Sequence, residues 1–338
     1  MADAGGKEGC AVLALSRGGC LLGQRLAAAL GGDFYPCKGR LQAVFGQTWQ
    51  QYPHLVCIMA TGIVVRAIAP LLQDKYHDPA VVVCDERGQY AISLISGHLG
   101  GANALAHEVA AVTGGQAVLT TASDVLGHTA LDLWCRDLSL TAASKEALTK
   151  AMGRLVDRGQ LTLWSRYPLP ELPVDLVAVA DRNEADLIVD IHRDVPAHSA
   201  LLVPKALIFG LGCNRGTSAE LIAQAVEETC VRYNLAPEAI ARLASIDLKQ
   251  DELGLLAYAR QQHLSLVFFS KDQLNQVAGV SSSPAVLRAT GAKGVAEPAA
   301  LLAAGGGSTL LVGKIKWPEV TTAVAAIVDP LIHVQKEI

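Results

Sequence analysis

The sequence predicts an α/β protein: an N-terminal, mostly parallel α/β domain (1–138), a small α+β middle domain (139–204) and a C-terminal α/β domain (205–338). Three observations lead there. Apolar residues make up 51% of the chain and aromatics only 5%, so the buried mass is Ala, Leu and Val, which suits helices laid closely on sheets. Apolar runs of strand length alternate with helical periodicities through most of the first 138 residues. The texture changes at Ser139, where short strand candidates and Pro-rich turns take over, and the alternation resumes at Lys205. A chain of 338 residues accommodates two or three domains, each with its own core.

In order, residues 10–16 read as a strand, Arg17-Gly18-Gly19 as a turn and 21–30 as a helix. A helix over 41–50 leads to a strand over 55–59, and Ala60-Thr61-Gly62 opens an apolar helix over 63–72 with Arg66 near its start. Strand 80–84 turns through Asp85-Glu86-Arg87-Gly88 into 90–95, which reads as a buried strand. Ser96 to Asn103 then leads into a helix on which Leu105, Val109 and Val112 recur at i, i+4 and i+7. Strand 117–121, a polar loop Thr121-Ala122-Ser123-Asp124 and helix 129–138 complete the first part.

The middle part reads as helix 144–156, with Leu148, Met152 and Leu155 on one side, then strands 161–165, 175–179 and 186–191 and a loop over 194–199. The last part reads as strand 206–209, turn 210–216 and a long helix over 217–233 capped by Thr217 or Ser218. Helices 237–243 and 251–262, strand 264–269, short helices near Asp272 and Pro284, helix 297–304 and strand 310–316 follow.

Several function classes drop out. A net charge of −4 and a pI near 6.1 provide no basic field for nucleic acid, although a local basic pocket for an acidic small molecule stays compatible. Residues 1–9 carry acids and glycines without an apolar export core, and the apolar stretch 60–72 is interrupted by Arg66 and Pro70, so no membrane span is expected. The eight cysteines are scattered singly with no Cys-x-x-Cys pair, and most lie in apolar runs. A cytoplasmic, reducing location is the expectation.

The stretch Ser96-Gly97-His98-Leu99-Gly100-Gly101-Ala102-Asn103 is the centre of chemical interest. A polar, glycine-rich turn between strand and helix exposes backbone N–H groups at a helix N-terminus, an anion site, and here it holds a histidine that exchanges a proton near neutrality. His98 reads either as a general acid or base or as a structural histidine bonded to a backbone carbonyl. His107 does not share a helical face with it, His54 and Cys57 read as core, and no metal-ligand cluster is expected. Thr61-Gly62 and Thr121 to Asp124 both follow strands, and such loops gather at the carboxyl edge of an open sheet, where ligands bind. Arg66 and Arg87 either hold carboxylates or are solvated charges; Asp124 either orients a histidine or water or caps a helix.

Gly210-x-Gly212-x-x-x-Gly216 follows a strand and opens a helix as a dinucleotide fingerprint does. Its last spacing is one residue too long, and no acidic residue ends a second strand about twenty residues on. Gly212, Asn214 and Arg215 remain an anion-binding candidate. Residues 249–252, 281–284 and 293–297 either line the same region or are caps and solvated turns. No P-loop, Gly-x-Ser-x-Gly elbow or zinc signature occurs.

Beyond these physical readings, MATGIVVRAIAP from Met59 to Pro70, DPAVVV from Asp78 and ISGHLGGANAL from Ile95 to Leu105 resemble the CbiG family of cobalamin biosynthesis. GLGCNRGT from Gly210, SIDLK from Ser245 and VAE from Val295 resemble that family's C-terminal part. The resemblance covers nearly the whole chain in the family's order and is least distinct in the middle.

The family contains the cobalt-precorrin-5A hydrolases of the anaerobic pathway. The resemblance therefore implies opening of the ring A δ-lactone of a ring-contracted cobalt tetrapyrrole, release of acetaldehyde and formation of cobalt-precorrin-5B. It implies no cofactor, since cobalt is carried by the substrate, and candidate hand-over contacts with neighbouring pathway enzymes. Position and chemistry then nominate His98 as base or acid, the Gly100 and Gly101 amides as oxyanion donors and Asp124 as orienting or relaying group. Arg66, Arg87 and Arg215 are nominated for the acetate and propionate arms. Ser96, Gly97, Asn103, Thr61, Gly62, Ser123, Gly212 and Asn214 are nominated as surrounding contacts. The alternatives are a non-catalytic tetrapyrrole-binding carrier and a nicotinamide-dependent oxidoreductase.

Overall fold

Strands that are apolar at every position need cover on both faces, and two of the first sheet's strands, CAVLA from Cys10 and AVVVC from Ala80, are of this kind and fully buried. The computed structural model describes residues 9–74 and 77–331; residues 1–8, which carry the reading on export, lie outside the described residues. The chain divides into two compact units, the first ending at Leu133 and the second beginning at Trp134.

The first unit runs β1 (Cys10–Ala14), α1 (Arg17–Leu30), β2 (Asp33–Pro36), α2 (Leu41–Gln51), β3 (His54–Ile58) and α3 (Thr61–Ile68). It continues with β4 (Ala80–Cys84), β5 (Tyr90–Ile95), α4 (Ala102–Thr113), β6 (Gln116–Val118) and α5 (Ala122–Leu126); the division falls within α6 (Leu131–Asp137). Its six strands lie in the order β2-β1-β3-β4-β5-β6. Alternate residues sort the core by face. Val12, Val56, Ile58 and Val82 pack under Leu22 and Leu26 of α1 and Leu105 and Val109 of α4. Leu13, Leu55, Cys57 and Val83 pack under Phe45 and Trp49 of α2 and Val64 and Ile68 of α3. Burying each such side chain stabilises the unit by about 1.5–3 kcal/mol.

One feature of this sheet decides where the site lies. All neighbouring strands are parallel except β4 and β5, which pair antiparallel with Val81 opposite Ile95 and Cys84 opposite Ala91. The carboxyl ends of β5 and β6 therefore lie at the amino ends of β1 to β4.

The second unit holds two five-stranded sheets. The elements β7 (Leu140–Ala142), α7 (Lys145–Arg158), β8 (Leu161–Ser165), β9 (Leu176–Ala178), β10 (Leu187–Val189) and β11 (Ala200–Pro204) form the first of them, in the order β7-β11-β10-β8-β9. Next come β12 (Leu207–Cys213), α8 (Ala219–Arg232), β13 (Ile240–Ile246), α9 (Leu253–Gln261), β14 (Ser265–Phe269) and α10 (Lys271–Gln276). The chain closes with α11 (Pro284–Thr290), α12 (Ala296–Ala304), β15 (Thr309–Lys316) and β16 (Val320–Ala326), giving the order β14-β13-β12-β16-β15.

Several local expectations are corrected. Arg17, Gly18 and Gly19 are the first turn of α1, because the Ser16 hydroxyl accepts the Gly19 amide at 3.0 Å and caps it. Residues 240–243, expected to be helical, belong to strand β13, where pairing on both sides with β12 and β14 overrides the Ala and Leu propensities. Strand β5 is half-buried with Tyr90 exposed, and β2, β7, β11 and β16 arise in stretches not read as strands. No helix among the described residues is long and apolar enough to cross a membrane.

Candidate active site

Two irregularities precede His98. Val82 pairs with Ser93 while Val81 pairs with Ile95, so Leu94 is an extra residue in β5, a bulge that bends the strand and turns up the twist. Ser96 then takes φ 57°, a left-handed conformation that costs a non-glycine residue about 1–3 kcal/mol and is concentrated at functional sites. The turn closes on itself. The Ser96, Gly97 and His98 carbonyls accept the amides of Ala102, Asn103 and Gly101 at 3.1, 3.0 and 3.0 Å. Gly100 is required by close approach, since a Cβ there would lie 2.4 Å from that of Ser96.

This corrects the expectation of an open anion site. The Gly101 amide and the first amides of α4 are already bonded, so Gly101 is no oxyanion donor without opening the turn. Among the described residues the Gly100 amide makes no such bond.

What the turn does provide is a knot of buried polar side chains. Among the described residues of the first unit, Thr48, Asn103, Ser123 and Asp132 are the buried polar ones, and the last three surround His98 or Asp124. His98 Nε2 lies 3.0 Å from Asp124 Oδ2 and 3.3 Å from Ser123 Oγ, and Nδ1 lies 3.5 Å from Asp132 Oδ1. Asn103 donates from Nδ2 to Asp124 Oδ2 at 2.6 Å and to Thr121 Oγ1 at 3.5 Å, and its Oδ1 accepts from the Ser93 hydroxyl at 2.6 Å. A carboxylate only accepts, so its presence fixes which way the Asn103 amide faces.

A carboxylate at each nitrogen favours a proton on both. The His98 pKa is raised, first by the hydrogen bond to Asp132 and then by that to Asp124, against the opposing effect of burial. The longer contact weighs more because Asp132 is 6% exposed and Asp124 30%, so solvent screens the latter. His98, its side chain 7% exposed, therefore keeps its second proton to higher pH than an ordinary histidine and is suited to donating a proton or facing negative charge, while Asp124 is the member that reaches solvent.

Asp132 had no distinguishing signal in the sequence beyond being an acid in a helix's first turn. Its partner is 34 residues away in the chain (132 − 98), and only the packing of α6 against the turn brings them together.

The structure does not gather the other nominated residues here. Thr61, Gly62 and Arg66 follow β3, and Arg87 follows β4, so they lie at the opposite edge of the sheet from His98. The separation is roughly 16 Å, the length of a five-residue strand. The β4–β5 hairpin reverses the chain, and loops following parallel strands share an edge only when no such reversal intervenes. Arg66 Nη1 donates to its own helix at Gly62 O, 2.8 Å away, and Arg87 sits in a turn fixed by Asp85, which accepts its amide at 2.8 Å. The loops that do approach the turn come from strand starts: Ser96 Oγ donates to Asp78 O at 3.1 Å, and a Cβ on Gly101 would lie 3.4 Å from His54 Nε2.

In the second unit, Gly212 and Asn214 line a cleft of about 390 Å³. Arg215 is not in its lining; it is held by Asp251 at 2.6 Å and by Leu248 O at 3.2 Å. Gly210 and Gly212 of the pattern that mimicked a dinucleotide turn belong to strand β12, and Gly216 follows it with φ 77°. Gly210 is needed because a Cβ would meet the Ala296 carbonyl at 1.8 Å, where α12 crosses the strand. The feature that suggested an oxidoreductase is thus a helix-packing device.

Comparison with known proteins follows the same two parts. The N-terminal model of the cobalamin synthesis G family matches residues 43–124 and its C-terminal model residues 207–325. A cobalt-precorrin-5A hydrolase from Priestia megaterium is 36% identical over 312 residues, spanning 86% of this chain and 83% of that protein. One from Salmonella typhimurium is 34% identical over 321 residues, spanning 87% of this chain and 92% of that protein. A solved structure of a cobalamin biosynthesis protein G homolog from Sulfolobus solfataricus is 21% identical with a TM-score of 0.38, covering 94% of this chain and 97% of its own.

Proposed function

The chain belongs to the cobalamin synthesis G (CbiG) family, and from that premise we propose how its residues perform the hydrolysis of cobalt-precorrin-5A. The protein is a cobalt-precorrin-5A hydrolase, like relatives matched over most of their length. One observation supports the residue assignment: the His98 ring lies between two carboxylates, one of which, Asp124, reaches solvent.

In this reading Asp124 takes a proton from water as its oxygen attacks the lactone carbonyl, and the Gly100 amide faces the developing oxyanion. The ester C–O bond breaks. The freed alkoxide becomes the carbonyl oxygen of acetaldehyde as the adjoining carbon–carbon bond breaks, and the macrocycle carbon that loses the fragment takes up a proton. His98 donates, and Asp132 steadies its charge. Water and lactone thus become a carboxylic acid, acetaldehyde and a protonated macrocycle. Cobalt enters with the substrate, no cofactor of the protein's own is used, and hand-over to neighbouring enzymes in a reducing cytoplasm belongs to the same reading.

The test is a single-turnover incubation of the full chain with cobalt-precorrin-5A, following acetaldehyde by enzymatic trapping. Stoichiometric release supports the hydrolase; tight binding without release would make the protein a carrier instead.

A further inference from the structure

The cleft of the C-terminal sheet has a composition that neither the reaction nor the His98 cluster explains. Lys249, Lys314 and Lys316 line it together with Val286, Val295 and Trp317. Lys249 is shared with Glu252 at 3.1 Å, whereas Lys314 and Lys316 form no ion pair among the described residues. The carboxylate lining the cleft, Glu319, accepts from the Thr217 hydroxyl at 3.3 Å. Three ammonium groups and one carboxylate line the slot; Glu252 beside Lys249 and Glu297 near Lys314 lie outside the lining and offset part of that charge, so the border is positive chiefly at Lys314 and Lys316.

The slot is also braced. Glu297, buried on α12, accepts the Ser281 amide and hydroxyl at 2.5 and 2.7 Å and the Lys314 amide at 2.8 Å. One carboxylate therefore ties the segment leading into α11, which forms one wall, to strand β15, which forms the other. Pre-set walls lower the ordering cost of binding.

We infer that this cleft is a recognition site for a flat, apolar molecule edged with carboxylates, Lys314 and Lys316 pairing with two of them while Val286, Val295 and Trp317 pack on the ring. A volume of about 390 Å³ lies in the lower range of small-molecule sites, so the cleft takes one edge of a macrocycle and not the whole. The identification of the molecule as the cobalt tetrapyrrole rests on the hydrolase reading above; the preference for a polycarboxylate does not.

The full chain is titrated calorimetrically with a cobalt corrin heptacarboxylate, cobyrinic acid, and with its heptamethyl ester. The acid binds, its affinity falls with added salt, and the ester binds at least 10-fold more weakly. Lys314→Gln with Lys316→Gln weakens the acid at least 10-fold and leaves the ester unchanged. Val286→Glu, which sets a repelling charge in the slot without touching the lysines, weakens the acid as well. Absence of binding by the parent chain, or equal affinity in the lysine variant, overturns the inference. Acetaldehyde release separates the two readings. Binding lost in the lysine variant with no acetaldehyde from the parent chain sinks the hydrolase and keeps the cleft. Release with an unchanged KM in that variant does the reverse.

Discussion

The His98 cluster and the C-terminal cleft are opposites. The cluster sets one histidine between two carboxylates with both ring nitrogens engaged; the cleft is open, apolar and bordered by Lys314 and Lys316, which form no ion pair among the described residues. Hydrogen bonds inside a low-dielectric pocket tune proton affinity, while exposed charges around an apolar slot attract and orient an anion. As proposed, proton transfer and recognition fall to different units of the chain, a division that can be broken residue by residue.

The largest effect is expected at the cluster. His98→Gln and Asp124→Asn should each lower acetaldehyde release by ~10²–10⁴-fold while cobyrinic acid binding in calorimetry stays as in the parent chain. Joint loss of turnover and binding would erase the division of labour. Asp132→Asn should act through His98. Without the strongest of its two raising contacts the His98 pKa falls, which a histidine NMR titration reads directly, and turnover declines less than on removing His98 itself.

The same contact makes stability depend on pH. Because the folded pKa is raised, its stabilisation is complete below about pH 6.5, the unfolded value, and is lost as pH climbs through the raised folded value. Unfolding midpoints measured across that window should show a loss in the parent chain that shrinks in Asp132→Asn. A smaller effect is expected at the cleft's brace. Glu297→Gln replaces an acceptor bonded on both oxygens, so thermal unfolding should register a loss of about 1–3 kcal/mol, with a few-fold weaker binding of cobyrinic acid. The smallest belongs to Arg66→Ala at the far edge of the first sheet, where release rates within about 2-fold of the parent are expected.

Much of this was legible in the residues. Apolar runs marked β1, β3 and β4, periodicity marked α4, and the motif from Ser96 to Asn103 drew attention to the turn that carries His98. Fully apolar strands and capped amphipathic helices announce themselves because their signals are local. β16 carries strand-favouring Val and Thr but no apolar run long enough to stand out, and pairing with β12 and β15 on either side places it in the sheet.

The sequence by itself determined the α/β class, the family and the existence of a polar turn with one histidine at its centre. Only the tertiary structure decided what that histidine is. The reversal at β4–β5 sends Arg66 and Arg87 to one edge and His98 to the other, and α6 returns to place Asp132 at the second ring nitrogen. Strand direction and the packing of a distant helix are properties of the assembled sheet. Proton affinity depends on what lies within a few ångströms, so the chemistry of His98 could not be read from its neighbours in the chain.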